Sequence, residues 1–350
     1  MINLRRRIGF VVIMVVAVTA LAACGSSAKS STSSSRVAKQ GAAGETTIRI
    51  GWLAGTEAPM YAAQAVHAFR KVGLNAKFIQ FSDGPAMNAA FKIGAIDVGY
   101  SGAPGFLTAL ETGTAMQWFA IDGYNDHEQG LVANPRSGIT SVKSLAGKIV
   151  AAPLGTTAWM GLLTALKENG MSLSDIHYVN LAPAALLPAY LEGHVQAVYI
   201  YAPLFFDLEA EGARVIQMSY EAPTPSDISG YFGRESWMKS HPAAVVKFLE
   251  ALQIGLEAIK SDPSRVIAFM SKDLSLPKSV VAEELKYGDY PSLKQQLASG
   301  TNYSMTSSGG IEAVLKHYVK TMVSYGLLST APDINGVVNS SYLRMAISAK

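Results

Sequence analysis

The sequence predicts an α/β protein of two lobes with a ligand cleft between them, and three observations point there. Between Ile48 and Ile121, short runs rich in β-branched and aromatic residues alternate with segments whose apolar residues fall at helical spacing. A polar stretch from Gly123 to Gly130 interrupts this rhythm, which then restarts and continues to Gly212. Beyond Gly230 the pattern turns mostly helical. Alternation of this kind predicts parallel strands joined by crossover helices, and two blocks of it predict two lobes. No internal repeat of fixed period is present.

The elements follow in order. Ile48-Arg49-Ile50-Gly51-Trp52 has strand composition. It leads into a helix with Pro59 near its start, Ala62, Ala65, Val66 and Phe69 at helical spacing, and Gly73 past its end. Proline suits the first turn, where its missing N–H has no partner to lose, and glycine accepts the left-handed backbone that ends a helix. Residues 76–81 form a strand, and Asp83-Gly84-Pro85 opens a helix carrying Met87, Ala90 and Phe91 that stops at Gly94. Ile96, Val98 and Tyr100 alternate as a strand. Ser101-Gly102-Ala103-Pro104 opens a helix ending near Gly113, and residues 116–121 form the next strand. After the polar stretch come a strand at 131–134, a short helix at 141–146 and a buried strand at 148–152. Pro153-Leu154-Gly155-Thr156-Thr157 opens a helix that runs to Asn169 and stops at Gly170. Residues 178–181, 186–192 and 195–200 read as strand, helix and strand, and Tyr201-Ala202-Pro203 opens a helix ending at Gly212. Helices are expected at 242–259, 263–271, 279–287 and 310–325. The chain is expected to return to the first lobe near residues 222–230, so that residues 46–126 and 225–350 form one lobe and residues 127–224 the other.

The amino terminus reads as an address. Arg5-Arg6-Arg7 is followed by an uncharged run of 16 residues from Ile8 to Ala23, and then by Cys24. A basic head, an apolar core and small residues before the break describe a secretory signal over residues 1–23. The run is shorter than the ~20 residues a helix needs to span a bilayer. Leu21-Ala22-Ala23-Cys24 resembles the lipobox of bacterial lipoproteins, which implies lipidation of Cys24. Residues 24–45, rich in Ser, Ala and Gly, are expected to be a flexible lipidated linker. The protein is expected to be exported and held at the outer face of the cytoplasmic membrane, in an envelope of Gram-positive or actinobacterial type.

Composition narrows the function. The chain is 49% hydrophobic and 16% charged, which excludes disorder overall. Its formal charge of +3 hides an asymmetry. Residues 1–44 carry six basic side chains and no acid, leaving 23 basic against 26 acidic residues in the rest. A nucleic-acid partner is not expected, because phosphate binding needs a basic footprint. One cysteine allows neither an intrachain disulfide nor a cysteine metal cluster.

Enzyme chemistry finds little support. Gly99-Tyr100-Ser101-Gly102-Ala103 has the outline of a nucleophile elbow, but the histidines at 67, 127, 177, 194, 241 and 317 are scattered and none stands in a suggestive context. Ser101 reads better as a helix cap. No histidine pair has metal spacing, and neither a Walker loop nor G-x-G-x-x-G occurs, so no metal or cofactor is expected.

A different pattern recurs. Ala54-Gly55-Thr56, Ser82-Asp83-Gly84-Pro85, Ser101-Gly102-Ala103-Pro104 and Leu154-Gly155-Thr156-Thr157 each follow a strand and open a helix. A helix start presents unpaired N–H groups and roughly half a positive charge, so it accepts anionic oxygens. Small residues let a ligand approach the backbone, and hydroxyls add donors. In open α/β sheets such turns line the carboxyl edge of the strands, where ligands bind. Because these turns occur in both blocks, a cleft between lobes is expected.

From Thr46 to Ile216 the chain resembles the solute-binding proteins of ABC importers for sulfonates, taurine and nitrate. The likeness is carried by Ile48-Arg49-Ile50-Gly51, Gly94-Ala95-Ile96-Asp97-Val98-Gly99, Ser137-Gly138-Ile139, Ser144-Leu145-Ala146-Gly147-Lys148, Gly155-Thr156-Thr157 through Gly161-Leu162-Leu163, and Tyr199-Ile200-Tyr201-Ala202-Pro203. The taurine-binding member has Trp where Tyr201 stands. The resemblance implies the two-lobed periplasmic-binding-protein-like fold of type II and a permease partner for a monomeric binding protein. It also implies a small sulfonate held by Ser101, Gly102, Thr156 and Thr157, with Thr56 and Gly84 nearby. Arg and Lys are absent from all four turns, so amide dipoles would replace a formal countercharge. An ammonium on the ligand would need a carboxylate, for which Glu57, Asp83 and Asp227 are the candidates. Trp159 and Tyr201 are the candidate aromatic contacts. Nitrate or a pyrimidine precursor of thiamine are the alternative ligands. A pyrimidine-precursor synthase, which carries a cysteine-rich motif absent here, and a sensory module are the alternative roles.

Overall fold

Two five-stranded sheets organise the chain. The computed structural model describes residues 46–53, 57–81, 84–124, 127–222, 228–301, 304–307 and 309–348. The signal segment, Cys24 with its linker, Thr56, Asp83 and Asp227 lie outside the described residues.

The elements run β1 (Thr46–Leu53), α1 (Ala58–Ala65), α2 (Ala68–Lys71), β2 (Leu74–Phe81), α3 (Gly84–Lys92), β3 (Val98–Gly102), α4 (Ala103–Glu111) and β4 (Met116–Tyr124). Then come β5 (Gln129–Ala133), β6 (Ile149–Ala152), α5 (Thr157–Glu168), β7 (His177–Asn180), α6 (Pro183–Leu191), β8 (Ala197–Tyr201), α7 (Leu204–Ala210) and β9 (Arg214–Met218). The last part holds β10 (Ile228–Arg234), α8 (Glu235–Ser240), α9 (Pro242–Ser261), α10 (Pro263–Leu274), α11 (Lys278–Tyr287), α12 (Ile311–Ser324) and α13 (Ser341–Ser348).

The first sheet has the order β2-β1-β3-β10-β4 and the second β7-β6-β8-β5-β9. The chain therefore passes from the first sheet to the second between Tyr124 and Gln129, and returns between Met218 and Ile228. The expected parallel pattern holds for β1 with β2 and β3, and for β6 with β7 and β8. It fails for β10, antiparallel to β3 and β4, and for β5, antiparallel to β8 and β9. Each of these two strands enters its sheet directly from the other one. Among the described residues no crossover α-helix precedes it, so the handed βαβ geometry that keeps neighbours parallel does not act on it.

Other departures have local causes. The single helix expected from Pro59 to Phe69 breaks into α1 and α2 at His67, which adopts a left-handed backbone (φ 56°). The helical expectation beyond Gly230 fails at its start, because β10 runs through Gly230 to Arg234. This strand is buried on both faces, so it lacks the alternation that marks a half-exposed one. At Gly230 an added Cβ would stand 2.5 Å from the Ala120 carbonyl oxygen and collide with the Trp118 ring, so this interior strand position takes only glycine.

The second sheet is coated on both faces. Leu131, Val150 and Tyr199 pack on one side, and Val132, Ala151, Val198 and Ile200 on the other, as the two-residue period of strands requires. In the first sheet a larger cluster joins Ile48, Ile50, Val98, Phe119 and Phe232 to α1 and α9. Asp97, 2% exposed, ties this sheet together. It accepts hydrogen bonds from Arg49 N (2.9 Å), Nε (3.0 Å) and Nη2 (2.5 Å), and from Arg234 Nη2 (2.9 Å). Among the described residues no helix is long and apolar enough to cross a membrane.

Candidate functional site

The site forms where two helix starts, one from each sheet, meet. β3 ends at Gly102, which also caps α4; the run of small residues lets the chain turn from strand to helix with Pro104 in the first turn. On the other side Thr156 caps α5: its Oγ1 accepts from Trp159 N (3.3 Å) and donates to the Pro153 carbonyl (2.6 Å). A Cβ built on Gly102 would stand 2.5 Å from Thr157 Cγ2. The two backbones thus approach as closely as a glycine allows, and both helix dipoles end at this junction.

Buried polar groups surround the contact. Thr157 Oγ1 donates to Gln129 Oε1 (2.8 Å), at the first residue of β5. Gln129 Nε2 and Trp159 Nε1 are buried donors with no hydrogen-bond partner among the described residues. Trp159 stands edge-on to Tyr325 at 5.6 Å between ring centres. Ser101 Oγ donates to the Gly102 carbonyl (3.1 Å), and Gly105 lies over it, where a Cβ would come within 2.8 Å of that oxygen. Gly84, at the start of α3, packs against Gly105 in turn.

Three acids are buried among the elements of the first sheet and its helices. Glu57 (0% exposed) follows β1, Asp122 (1%) stands near the carboxyl end of β4, and Glu284 (3%) comes from α11. Tyr231 on β10 donates a short hydrogen bond to Asp122 Oδ1. Both oxygens of Glu57, both of Glu284, and Asp122 Oδ2 find no hydrogen-bond partner among the described residues. Burial, reinforced by the charges of Asp122 and Glu284, outweighs the pull of Glu57's own backbone amide and holds its carboxyl well above the usual carboxylate range. Burial pushes Asp122 up to about 7 against the pull of the Tyr231 hydroxyl, and burial with Asp122 raises Glu284. Tyr290 links this group to the junction. Its hydroxyl donates to Glu128 Oε1 (3.3 Å), beside Gln129, and it is raised by burial, then by Glu128, Glu284 and Asp122. Among the described residues no cluster of His, Cys, Asp and Glu is arranged to hold a metal ion.

Two helix starts, one from each sheet, thus meet beside buried polar groups. The sequence profile of the NMT1/THI5-like family matches residues 56–266, well over half of the chain. The chain belongs to the NMT1/THI5-like family. It is 25% identical over 294 residues to a Brucella abortus protein described only as a binding protein, covering 82% of this chain and 88% of that one. It is 24% identical over 241 residues to the taurine-binding periplasmic protein of Escherichia coli, covering 67% and 72%. The fold matches the crystal structure of the periplasmic aliphatic sulphonate binding protein SsuA of Escherichia coli with a TM-score of 0.72 at 22% identity, over 84% of this chain and 92% of that one. These relatives support the solute-binding resemblance, and the fold is the two-lobed α/β one of periplasmic binding proteins.

In this NMT1/THI5-like chain, Gly84, Ser101, Gly102, Thr157 and Trp159 gather at the junction. Thr156 is there too, with its hydroxyl committed to the cap. Tyr201, half-buried, pairs in register with Gln129. Glu57 stands in the acidic group. Asp122, Glu128, Gln129, Tyr231, Glu284 and Tyr290 escaped the sequence reading. Glu128 and Gln129 sat in a stretch read as a polar loop, yet both are buried. Asp122, a lone acid near the end of the apolar strand Met116–Tyr124, was the one legible signal.

Proposed function

We propose that the chain is the solute-binding lipoprotein of an ABC importer, exported, anchored through Cys24, and capturing a small sulfonate such as taurine or an alkanesulfonate between its lobes. The observation that carries this reading is the contact of Gly102 with Thr157 at the starts of α4 and α5. Two amide-lined helix ends from separate sheets converge there, with the buried donors of Gln129 and Trp159 beside them, which is the environment an anionic head group needs. The lobes, 46–126 with 225–350 and 127–224, are joined where the chain passes from β4 to β5 and from β9 to β10. Closure on the ligand then presents a monomeric, loaded protein to the permease.

Binding without chemistry is favoured over catalysis. Ser101 Oγ donates to its neighbour's carbonyl, and among the described residues no base is hydrogen-bonded to it to make it a nucleophile. Isothermal titration of the full chain with 2-aminoethanesulfonate (taurine), ethanesulfonate, nitrate and 4-aminopyrimidine tests the reading. Binding of either sulfonate is expected; binding of the pyrimidine or nitrate with neither sulfonate would overturn it.

A further inference from the structure

We propose that Tyr325 and Leu327, on the turn that ends α12, are positioning residues: from the first lobe they grip the start of α5 and hold the two lobes together before a ligand arrives. This deepens the solute-binding reading and rests on it only for where the ligand sits.

α5 is the wall the two lobes share. Ala158, Leu162, Ala165 and Leu166, at the spacing of one helical face, pack into a cluster of the second sheet. Trp159, Met160 and Leu163, on the neighbouring face, belong instead to the large cluster of the first sheet. Trp159 and Met160 are each 1% exposed. At Gly161 an added Cβ would stand 2.4 Å from the Tyr199 ring, so α5 lies hard against β8. Whatever holds the other face of this helix therefore holds the second sheet with it.

The end of α12 supplies that hold. Gly326 adopts a left-handed backbone (φ 72°), and the amides of Gly326 and Leu327 donate back to the Val323 and Met322 carbonyls at 3.0 and 2.8 Å. The turn so made lays Tyr325 against Trp159, edge-on at 5.6 Å between ring centres. It also sets Leu327 Cδ2 3.1 Å from where a Cβ on Gly155 would begin. Tyr325 is 43% exposed, so its ring covers the buried tryptophan of the other lobe without filling a core of its own.

α4 fixes the turn in place. Glu111, its last residue, accepts from the amide and the hydroxyl of Ser329 and from the Thr330 amide (3.2 Å). α4 thus meets the start of α5 twice, at its own start through Gly102 and Thr157, and at its end through the turn that bears on Gly155 and Trp159. Contacts between residues of different lobes exist only while the lobes are together. They stabilise that arrangement alone, and the affinity of a ligand that needs it rises with its population.

Calorimetric titration and small-angle X-ray scattering of the full chain test the proposal, with ethanesulfonate and 2-aminoethanesulfonate as probes. Tyr325→Ala is expected to weaken both sulfonates by the same factor, about three- to tenfold, the scale of one aromatic pair. Tyr325→Phe keeps the ring and should bind within about twofold of the parent, and Leu327→Ala should repeat the loss. Without ligand, Tyr325→Ala should show a larger radius of gyration than the parent, and at saturating sulfonate the same one. A tyrosine with a merely structural role would lower the urea midpoint and move neither quantity. Unchanged affinity in both alanine variants, or an unchanged ligand-free radius of gyration in Tyr325→Ala, would overturn the proposal and leave the sulfonate reading standing. If neither sulfonate binds the parent, that reading falls and the ligand-free scattering decides the grip: a larger radius in Tyr325→Ala supports it, and an equal one overturns it.

Discussion

Thr157 reaches across from the second sheet until its Cγ2 occupies the place where a side chain on Gly102 of the first sheet would begin. The contact is between the first residue of α5 and the cap of α4, so the approach of the two sheets brings both helix starts to one point. A glycine at this place is a requirement of approach, since the Gly102 backbone is ordinary extended chain (φ −64°) that any residue adopts.

Gly102→Ala is therefore expected to wedge the junction. Overpacking of this size costs about 1–3 kcal/mol, here charged to the closed form, so ligand affinity should fall about tenfold with the denaturation midpoint of the ligand-free protein little changed. Thr157→Ser removes Cγ2 and keeps the Oγ1 that donates to Gln129. Paired with Gly102→Ala it should recover most of the lost affinity. Calorimetric titration of the single and double variants checks both, and full affinity in Gly102→Ala would mean that the ligand is held in a more open arrangement.

The acidic group should make the ligand-free protein less stable as pH rises. Asp122 moves from 3.8 to about 7 on folding, so between those values the folded state binds more protons than the unfolded one, and stability present at low pH is lost as pH climbs through about 7. Each unit of displacement corresponds to about 1.4 kcal/mol, and Glu57 and Glu284 act in the same direction. Urea midpoints are expected to fall between pH 5 and pH 8. Asp122→Asn, which can still accept from Tyr231, should flatten that slope. A midpoint that rises over this range would show that the acids are charged in the ligand-free fold.

The contrast between what the sequence discloses and what it conceals follows from range. Helix openings such as Gly84-Pro85 and Thr156-Thr157 are legible because backbone geometry is dictated by residues a few positions apart. Glu57 stands out for the same reason, one residue before α1 and next to a strand end. Glu284 does not, because Glu283, Glu284 and Lys286 together look like the wet face of an amphipathic helix, and only tertiary packing buries Glu284. Tyr231 was hidden by its strand, since ISGYFGR has two glycines and no alternation. Its partnership with Asp122 spans 109 residues. Burial of a charge is a tertiary property, and the acidic group is built almost wholly from it.

Asp97→Asn tests the paired carboxylate against an unpaired one. The substitution leaves Arg49 and Arg234 without the anion between them, and breaking a buried ion pair costs about 3–5 kcal/mol, less where one partner is solvated. Because the Arg49 side chain is 39% exposed, a loss of about 2 kcal/mol is expected in urea denaturation, with ligand affinity unchanged once the protein is folded. Glu57→Gln should show the opposite signature, with a stability equal to or above the parent and weakened binding of an aminosulfonate. Equal destabilisation by both would place Glu57 in the scaffold.

Trp159→Phe isolates one donor at the anion end. The indole Nε1–H has no partner among the described residues, so its removal breaks no bond within the protein, and the edge-on contact with Tyr325 at 5.6 Å is one that a phenyl ring can approximate. Stability should fall by only about 1 kcal/mol, the cost of lost ring volume in a buried position. If the N–H points to the ligand head group, the affinities for ethanesulfonate and 2-aminoethanesulfonate should drop by the same factor, about tenfold, because both present the same oxygens to it. That parallel loss differs from the selective loss expected at Glu57, so the two residues are distinguished by one pair of ligands. An unchanged affinity for both sulfonates would move Trp159 out of the site and leave the junction of Gly102 and Thr157, with Gln129, as the whole of the anion seat.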